Sequence, residues 1–402
     1  MKLRPLILCC ATTLLAACGG NGSAQARDEP QAAKPTESRG AFTAWKDAPP
    51  AATPLPQFVA QEVARFEEPW AMAFLPDGRL LVTEKKGRLK LHDVAANKTS
   101  EISGVPEVAY GGQGGFGDVA LHPQFADNHL VYLSYAEPGD GDTRGAAVAR
   151  AKLELASDGN GGRLQDLQVI WRQSPKVTGD GHYGHRILFG SDGKLWISSS
   201  ERQKFDPAQD MASNLGKIVR LNDDGSVPAD NPFFEKGGVT AQIWSLGHRN
   251  VLGMAFDAAG RLWEVEMGPR GGDELNRVER GANYGYPIVS NGDHYSGLPI
   301  PDHDTRPEFN APEAWWNPVI SPSSLLIYTG DLFPDFKGNG LIGGLSSQSL
   351  VRIGFDGNNA RETGRYDMGA RIRAVVQGPD GAIWLLQDGS DAKLLKLVPP
   401  TS

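Results

Sequence analysis

One local design recurs along the chain and leaves little room for a helical or α/β fold. An apolar strand end runs into a turn built from Pro, Asp and Gly, and a second apolar strand follows at once. The copies are residues 74–84, 189–198, 256–265 and 377–386, and three of them share Gly-x-Leu/Ile-Trp. Looser copies lie at 121–134 and 332–344. Glycine supplies the positive φ of such turns, so each copy reads as a β-hairpin. Capped segments of helical period are scarce, whereas Gly (49) and Pro (28) are abundant, which favours many short strands over helices. About six hairpin units at unequal spacing predict an all-β fold, a β-propeller over residues 57–402. A β-sandwich or a string of small β-domains is the competing arrangement, but no linker interrupts residues 57–398. The long inserts 204–214 and 291–316 then become loops on one face. Loops from different blades can converge there on one small-molecule site.

The first 56 residues read as address and tether. Lys2 and Arg4 precede a mostly apolar run from Leu6 to Leu15, too short to span a bilayer as a mature helix. Leu15-Ala16-Ala17-Cys18 resembles a bacterial lipobox. Residues 1–17 are therefore expected to be a lipoprotein signal peptide, with Cys18 lipidated as the mature first residue. An ordinary secretory signal is the alternative. Gly19 follows, with no Asp to signal inner-membrane retention, so the expected location is periplasm-facing on the outer membrane. Residues 18–56 are rich in Ala, Pro, Ser, Gly and charge and read as a flexible tether.

Composition excludes several chemistries. The cysteines are Cys9, Cys10 and Cys18, so the folded domain offers no disulfide, zinc–thiolate site or cysteine nucleophile. The formal charge is −8, and removing Lys2 and Arg4 with the signal takes it to −10. A net acidic chain without a basic run is a poor partner for nucleic acid.

Several loops can carry chemistry. His182, in Gly-Asp-Gly-His-Tyr-Gly-His-Arg, can accept a proton at physiological pH. Asp180 and Arg186 are placed to orient it. His185 competes for the role, and a surface histidine in a turn fits the same residues. In Gly268-Pro269, Pro269 cannot donate a backbone hydrogen bond, and the adjoining glycines allow sharp turns. Carbonyls freed in this way suit Ca²⁺, with Glu266, Asp273 and Glu274 supplying charge. A loop with acid-capped turns fits equally well. The glycine-rich run 111–118 lacks the Walker and dinucleotide patterns. It either lets Gln113 approach a flat ligand or forms a tight turn. Arg371 and Arg373 alternate and so point to one side. They are suited to carboxylates, or to solvent on a strand edge.

In this order the loops resemble the soluble pyrroloquinoline-quinone (PQQ)-dependent sugar dehydrogenases, in particular the aldose sugar dehydrogenase branch. The anchors are Glu68-Pro69-Trp70, Gly112-Gln113-Gly114-Gly115, His182-Tyr183-Gly184-His185-Arg186, Gly247-His248-Arg249-Asn250, Gly268-Pro269-Arg270-Gly271-Gly272-Asp273-Glu274, Asn283-Tyr284-Gly285 and Arg371-Ile372-Arg373. The resemblance implies an all-β, six-bladed β-propeller with PQQ over the central channel, and His182 as the base that takes the anomeric proton. It implies PQQ contacts from Gln113, Arg249, Asn250, Arg371 and Arg373. Carbonyls of Gly268 and Pro269 would hold an activating Ca²⁺, and Glu274 with the Tyr284 backbone a second one. The partners would be an aldose, an external electron acceptor and, through Cys18, a membrane.

Three positions depart from that family. Ser346 stands where it places a cofactor-contacting lysine, Ala374 where an acid follows the arginine pair, and Met267 where a polar residue adjoins the Gly-Pro turn. Losing the lysine would remove a charge-assisted bond of roughly 1.5–3 kcal/mol. Two other functions therefore compete: a binding propeller that has lost its cofactor, and a Ca²⁺-dependent lactonase. The lipid anchor has a direct check. Cys18→Ser should move the protein from the membrane fraction to the soluble fraction, and unchanged membrane retention would contradict the anchor.

Overall fold

The computed structural model describes residues 58–400. The expectations for the signal peptide, Cys18 and the tether lie outside the described residues.

Twenty-four strands account for a little under half of the described chain. The first, β1 (Val59–Phe66), stands apart from its sequence neighbours. Then come β2 (Pro69–Phe74), β3 (Leu80–Glu84), β4 (Arg88–Asp93) and β5 (Lys98–Ser103). The next group is β6 (Phe116–Leu121), β7 (Leu130–Pro138), β8 (Arg144–Leu155) and β9 (Gly162–Arg172). It is followed by β10 (Gly184–Phe189), β11 (Leu195–Ser199), β12 (Lys217–Leu221) and β13 (Ile243–Leu246). β14 (Val251–Phe256), β15 (Leu262–Glu266), β16 (Asp273–Val278) and β17 (Ala314–Trp316) come next. β18 (Pro322–Ile327), β19 (Gly340–Gly344), β20 (Ser349–Asp356) and β21 (Asn359–Asp367) precede the last three, β22 (Ile372–Gln377), β23 (Ile383–Gln387) and β24 (Ala392–Val398).

The sheets are antiparallel meanders. β10–β13, β14–β17 and β18–β21 each form a four-stranded sheet. β2–β5 and β6–β9 are joined into one sheet of eight by a short parallel pairing of β5 with β9. The last sheet runs β1-β24-β23-β22, so the strand from the start of the described chain completes the sheet from its end. The leading strands pack in succession: β2 on β6, β6 on β10, β10 on β14, β14 on β18, β18 on β22, and β22 back on β2.

Each sequence repeat falls on the connection between a leading strand and the next. In the four close copies the turn closes the same way. Leu75 N donates to Arg79 O, Gly190 N to Lys194 O, Asp257 N to Arg261 O and Gly378 N to Ala382 O, at 2.8–3.0 Å. Gly78, Gly193, Gly260 and Gly381 all take φ between +72° and +87°, which other residues adopt only with strain. In three copies the turn aspartate accepts a backbone N–H two residues on, at 3.0–3.1 Å.

Apolar faces meet between sheets. Met72, Leu80 and Val82 pack on Ala374, Trp384 and Leu386, sealing the first meander to the last. Trp263 and Trp316 share a cluster with Ile342 and Val351 of the next sheet. Each such side chain contributes on the order of 1.5–3 kcal/mol by leaving water. The second strands β3, β11, β15 and β19 are buried along their whole length. Polar residues on them, such as Thr83, Ser198 and Glu264, are therefore enclosed and must find partners inside.

Candidate functional site

An antiparallel meander puts the repeated turns at one end of every sheet. The crossovers into the leading strands and the turns between second and third strands gather at the other. A cavity of about 390 Å³ lies at that second end. Crossovers supply Gln113, Tyr183, Asn250, Ser321 and Arg371 to its wall, and second-to-third turns supply Lys85, Met267, Leu345 and Asp388. The leading strands add Trp70, His185 and Arg373. The insert 204–214 belongs to such a second-to-third turn. The long β16–β17 connection also reaches this end: Arg270 and Asp293 exchange backbone hydrogen bonds, and the Tyr286 and Tyr295 rings lie 5.8 Å from the Arg249 guanidinium.

His182 is buried, not on the surface. Its Nδ1 makes a short contact with the carboxylate of Glu201, at the end of β11's sheet edge. Its backbone N–H donates to Gln113 Oε1 at 2.8 Å. Burial pulls the His182 pKa below the usual histidine value, and the Glu201 contact opposes that pull. Burial would raise the Glu201 carboxyl, but the hydrogen bonds from His182 and Phe205 N outweigh it and hold it below the usual range. An ionised Glu201 accepting Nδ1–H leaves the lone pair on Nε2, so the ring is a neutral base with a fixed tautomer.

Asp180 and Arg186 do not orient His182, contrary to the expectation from sequence. Asp180 pairs with Arg144 at 2.8 Å. Arg186 turns inward, stacks over the Trp70 ring at 3.9 Å, and donates to the carbonyls of Leu252 and Ser323 at 2.7 Å. His182 precedes β10 and takes φ +49°, as does His185, so the side chains of this segment do not keep strand alternation, and the long-range partners win. His185 is enclosed too. It stacks on Trp70 at 4.9 Å and meets Ser134 Oγ at 2.9 Å, and a Cβ on Gly117 would overlap its ring. Burial and the Arg186 and Arg202 charges push it down to about 3. It lacks the carboxylate partner that His182 has.

The glycine-rich run seats Gln113 against the His182 loop. Gln113 N donates to Asp180 O at 2.8 Å, and Gly112, at φ +53°, lies where a Cβ would strike Asp180. Arg371 and Arg373 do point to one side, as expected, and share one acid. Arg371 Nε is 2.8 Å from Asp388 Oδ2, and Arg373 grips Oδ1 at 2.7 and 2.9 Å. Asp388 thus provides, from the end of β23, the acid that Ala374 does not. Burial would raise its carboxyl, but the two arginines hold it below the usual range. Ser346 forms a hydrogen bond with Ser321 Oγ at 2.8 Å. The cavity nonetheless has an ammonium: Lys85 Nζ reaches Gly112 O at 2.9 Å. Burial lowers its pKa, with Glu68 opposing and Arg373 adding to the effect.

Asn250 has both amide atoms unpartnered while buried on the cavity wall. A buried amide in that state calls for a ligand. Arg249 donates through Nη1 to the carbonyls of Met267 and Gly268, at 2.8 and 2.6 Å, and its Nε has no partner. The Gly268 carbonyl, expected to hold Ca²⁺, therefore carries a guanidinium hydrogen bond here. Glu274 is buried, with His303 Nε2 at 3.3 Å and Asn276 Nδ2 at 3.1 Å, and Tyr284 is buried too, stacked on His248. The Gly-Pro turn is held by Asp273, whose oxygens accept from Gly268 N, Ile320 N and Ser321 N at 2.9, 2.8 and 2.7 Å. Glu201, Asp388 and Lys85 were not singled out from the sequence. Each lies 15 or more residues from the groups it serves, and no local motif announces it.

The family model for glucose/sorbosone dehydrogenases matches residues 66–396. Aldose sugar dehydrogenase YliI of Escherichia coli K12 is 39% identical over 343 residues, covering 83% of this chain and 91% of that protein. The apo crystal structure of the soluble aldose sugar dehydrogenase of Escherichia coli is similar with a TM-score of 0.80 at 37% identity, over 85% of this chain and 100% of that one. The PQQ-bound aldose sugar dehydrogenase of Streptomyces coelicolor gives a TM-score of 0.69 at 27% identity, over 87% of this chain and 99% of that one.

The turn's dependence on Asp273 can be measured. Asp273→Ala would leave three N–H groups without an acceptor, and the two fully buried ones, on Gly268 and Ile320, each cost about 1–3 kcal/mol. Urea unfolding should show a loss of about 3 kcal/mol or more, and a loss under about 1 kcal/mol would contradict the assignment.

Proposed function

The chain belongs to the glucose/sorbosone dehydrogenase family, and from this we propose that it is a six-bladed propeller that oxidises aldoses at C1 to lactones, with PQQ as cofactor and His182 as base. Six four-stranded groups around one closed circuit of leading strands support the blade count. The observation that carries the activity is the buried His182–Glu201 pair, tied through Gln113 to a cavity walled by Arg371 and Arg373.

The residues present fit a flat tricarboxylate. Arg371, Arg373 and Lys85 offer positive charge on the cavity wall, and Arg249, which adjoins Asn250 in the chain, has an unpartnered Nε. Asn250 offers both a donor and an acceptor. Trp70 lines the cavity beside them. These residues and Gln113 would hold the cofactor. PQQ, when bound, supplies the two-electron acceptor for the hydride that leaves C1. The chain itself handles the proton. His182 Nε2 takes it from the anomeric hydroxyl as the C1–O double bond forms, and Glu201 stabilises the imidazolium that results. Since Glu201 is ionised and already bonded to Nδ1, the base needs no reorganisation before it acts.

The carbonyls of Gly268 and Pro269 would hold Ca²⁺, and their all-oxygen chemistry suits it. Calcium there supplies a Lewis acid. Loading it would displace the Arg249 hydrogen bond from Gly268 and free that guanidinium for a carboxylate of the cofactor. Glu274 and the Tyr284 backbone would hold a second, structural Ca²⁺. The chain has no Cys-x-x-Cys-His for haem attachment, so reoxidation falls to an external acceptor. A periplasm-facing position on the outer membrane, through Cys18, suits exchange with such an acceptor.

Protein reconstituted with PQQ and Ca²⁺ should reduce an artificial dye when given aldoses. His182→Ala should lower kcat about 10²–10⁴-fold while PQQ absorbance still titrates. In the native enzyme, rate should fall as pH drops through a value below the usual histidine pKa, because burial favours the neutral ring. Glu201→Gln removes the group that opposes that shift, so its acid limb should move to still lower pH while kcat drops. Full turnover in His182→Ala, or lactone hydrolysis without added quinone, would defeat the reading.

A further inference from the structure

Beneath the turn that presents Arg249 lies a group of enclosed side chains that the proposed reaction leaves unused. β15 directs Glu264 and Glu266 to one face, and the register with β16 sets Asn276 opposite Glu264 and Glu274 opposite Glu266. His248, from the β13–β14 turn, covers them. His248, Glu264 and Asn276 are 0% exposed and Glu266 3%. His248 Nδ1 lies 3.6 Å from Glu264 Oε1 and 3.5 Å from Glu266 Oε1, too far for good hydrogen bonds. Among the described residues it has no hydrogen-bond partner, and neither do Glu264 Oε2 and Asn276 Oδ1. The ring cannot easily turn away. Its Nε2 meets Ser245 Oγ at 2.8 Å, and its face stacks on Tyr284 at 4.7 Å.

The enclosed charge is not balanced by what surrounds it. Asn276 Nδ2 faces Glu264 Oε1, Glu266 Oε1 and Glu274 Oε2, at 2.8, 3.3 and 3.1 Å. An amide has only two hydrogens for those three acceptors. Glu266 Oε2 also accepts the backbone N–H groups of Arg249 and Asn250, at 2.5 and 3.2 Å. Buried carboxylates without a cation are costly and must gain a proton or a metal. Without metal, protons fill the gap. Burial and the Glu266 charge push Glu264 up to about 8, and the two carboxylates bring His248 up to about 9 against its burial.

We propose that His248 Nδ1, Glu264 and Glu266 form a structural Zn²⁺ site. One ligand atom from each lies within 4.8 Å of the others. Ligands held about 2.1 Å from a tetrahedral ion stand about 3.4 Å apart, close to the Nδ1–oxygen separations here. An imidazole with two carboxylates suits zinc, whereas Ca²⁺ takes oxygens only. With Nε2–H donated to Ser245, a neutral His248 and two carboxylates exactly offset the charge of one divalent ion. Glu264 Oε2, or Asn276 Oδ1 after an amide flip, can fill the fourth position. Glu274 stays outside this set, since its Oε1 faces His303, so the site is separate from both calcium positions proposed above. Because Glu266 also holds the Arg249 and Asn250 N–H groups, the ion would pin the turn that offers these residues to the cavity.

The test uses the full chain without PQQ. Protein is unfolded, stripped with chelator and refolded with Co²⁺ as the probe for Zn²⁺. The expected result is the intense visible absorption of tetrahedral Co²⁺, saturating at one equivalent, displaced by Zn²⁺ and unaffected by excess Ca²⁺. Zn²⁺ should raise the melting temperature. Glu264→Gln, which keeps the side chain's shape, should lose both the absorption and the Zn²⁺-dependent shift. The proposal is overturned if the wild-type chain refolds with no tetrahedral Co²⁺ absorption and a melting temperature indifferent to Zn²⁺, because protons alone then occupy the site. It is equally overturned if Glu264→Gln keeps the absorption. The wild-type titration decides the matter even if the variant fails to fold.

Discussion

Pairing of β1 with β24 is the constraint on which everything else rests. Val59 aligns with Val398 and Phe66 with Ala392, across more than three hundred residues of sequence. That ladder completes the last sheet with a strand from the start, and the core formed by Met72, Val82, Ala374 and Leu386 seals the same seam. Were the seam open, the leading strands β2 and β22 would lose their mutual contact, and residues from the first and last meanders would no longer face one cavity. Lys85 and Trp70 come from one side of that seam, and Arg371, Arg373 and Asp388 from the other. The cost of closing so long a loop is mainly entropic and grows slowly with length. A ladder plus an apolar seam can therefore offset it.

Electrostatics at the cavity follow from enclosure. Arg371 and Arg373 can stand together because Asp388 takes a hydrogen bond from each, and it remains charged because they are there. Arg186 spends its charge inside the molecule, over Trp70 and against Asp118, and leaves the ligand to the other cations. His182 is treated differently. Its environment disfavours the charged ring, and the one group that favours it, Glu201, also fixes which nitrogen carries the proton. A base that stays neutral and has a set tautomer, beside cations that attract anions, is what proton removal next to an anionic acceptor requires.

The sequence was most legible where structure is local. The Pro-Asp-Gly turns lie on the connections between first and second strands, and their hydrogen bonds recur from copy to copy because Gly78, Gly193, Gly260 and Gly381 need the same φ. His182, Gln113, Asn250, Arg371 and Arg373 were also readable, since each sits in a short motif. Their partners were not. Glu201 reaches His182 across a strand pairing, Asp388 reaches the arginines from the far end of β23, and Lys85 joins the wall from another sheet. Asp180 and Arg186 looked apt because they lie near His182 in sequence, yet the positive φ of His182 and His185 redirects the chain, and the two pair with Arg144 and Asp118 instead. Antiparallel topology explains the division. It collects the regular turns at one end and the irregular crossovers at the other, and the cavity lies at the end of the crossovers.

A crystal structure of the protein soaked with PQQ and Ca²⁺ tests the central claim most directly. The account predicts PQQ in the cavity beside Trp70, with its carboxylates on Arg371, Arg373 or Lys85, Asn250 newly hydrogen-bonded, and His182 Nε2 facing the space left for a sugar. An empty cavity at saturating PQQ, or a bound quinone with His182 Nε2 turned away from it, would contradict the account.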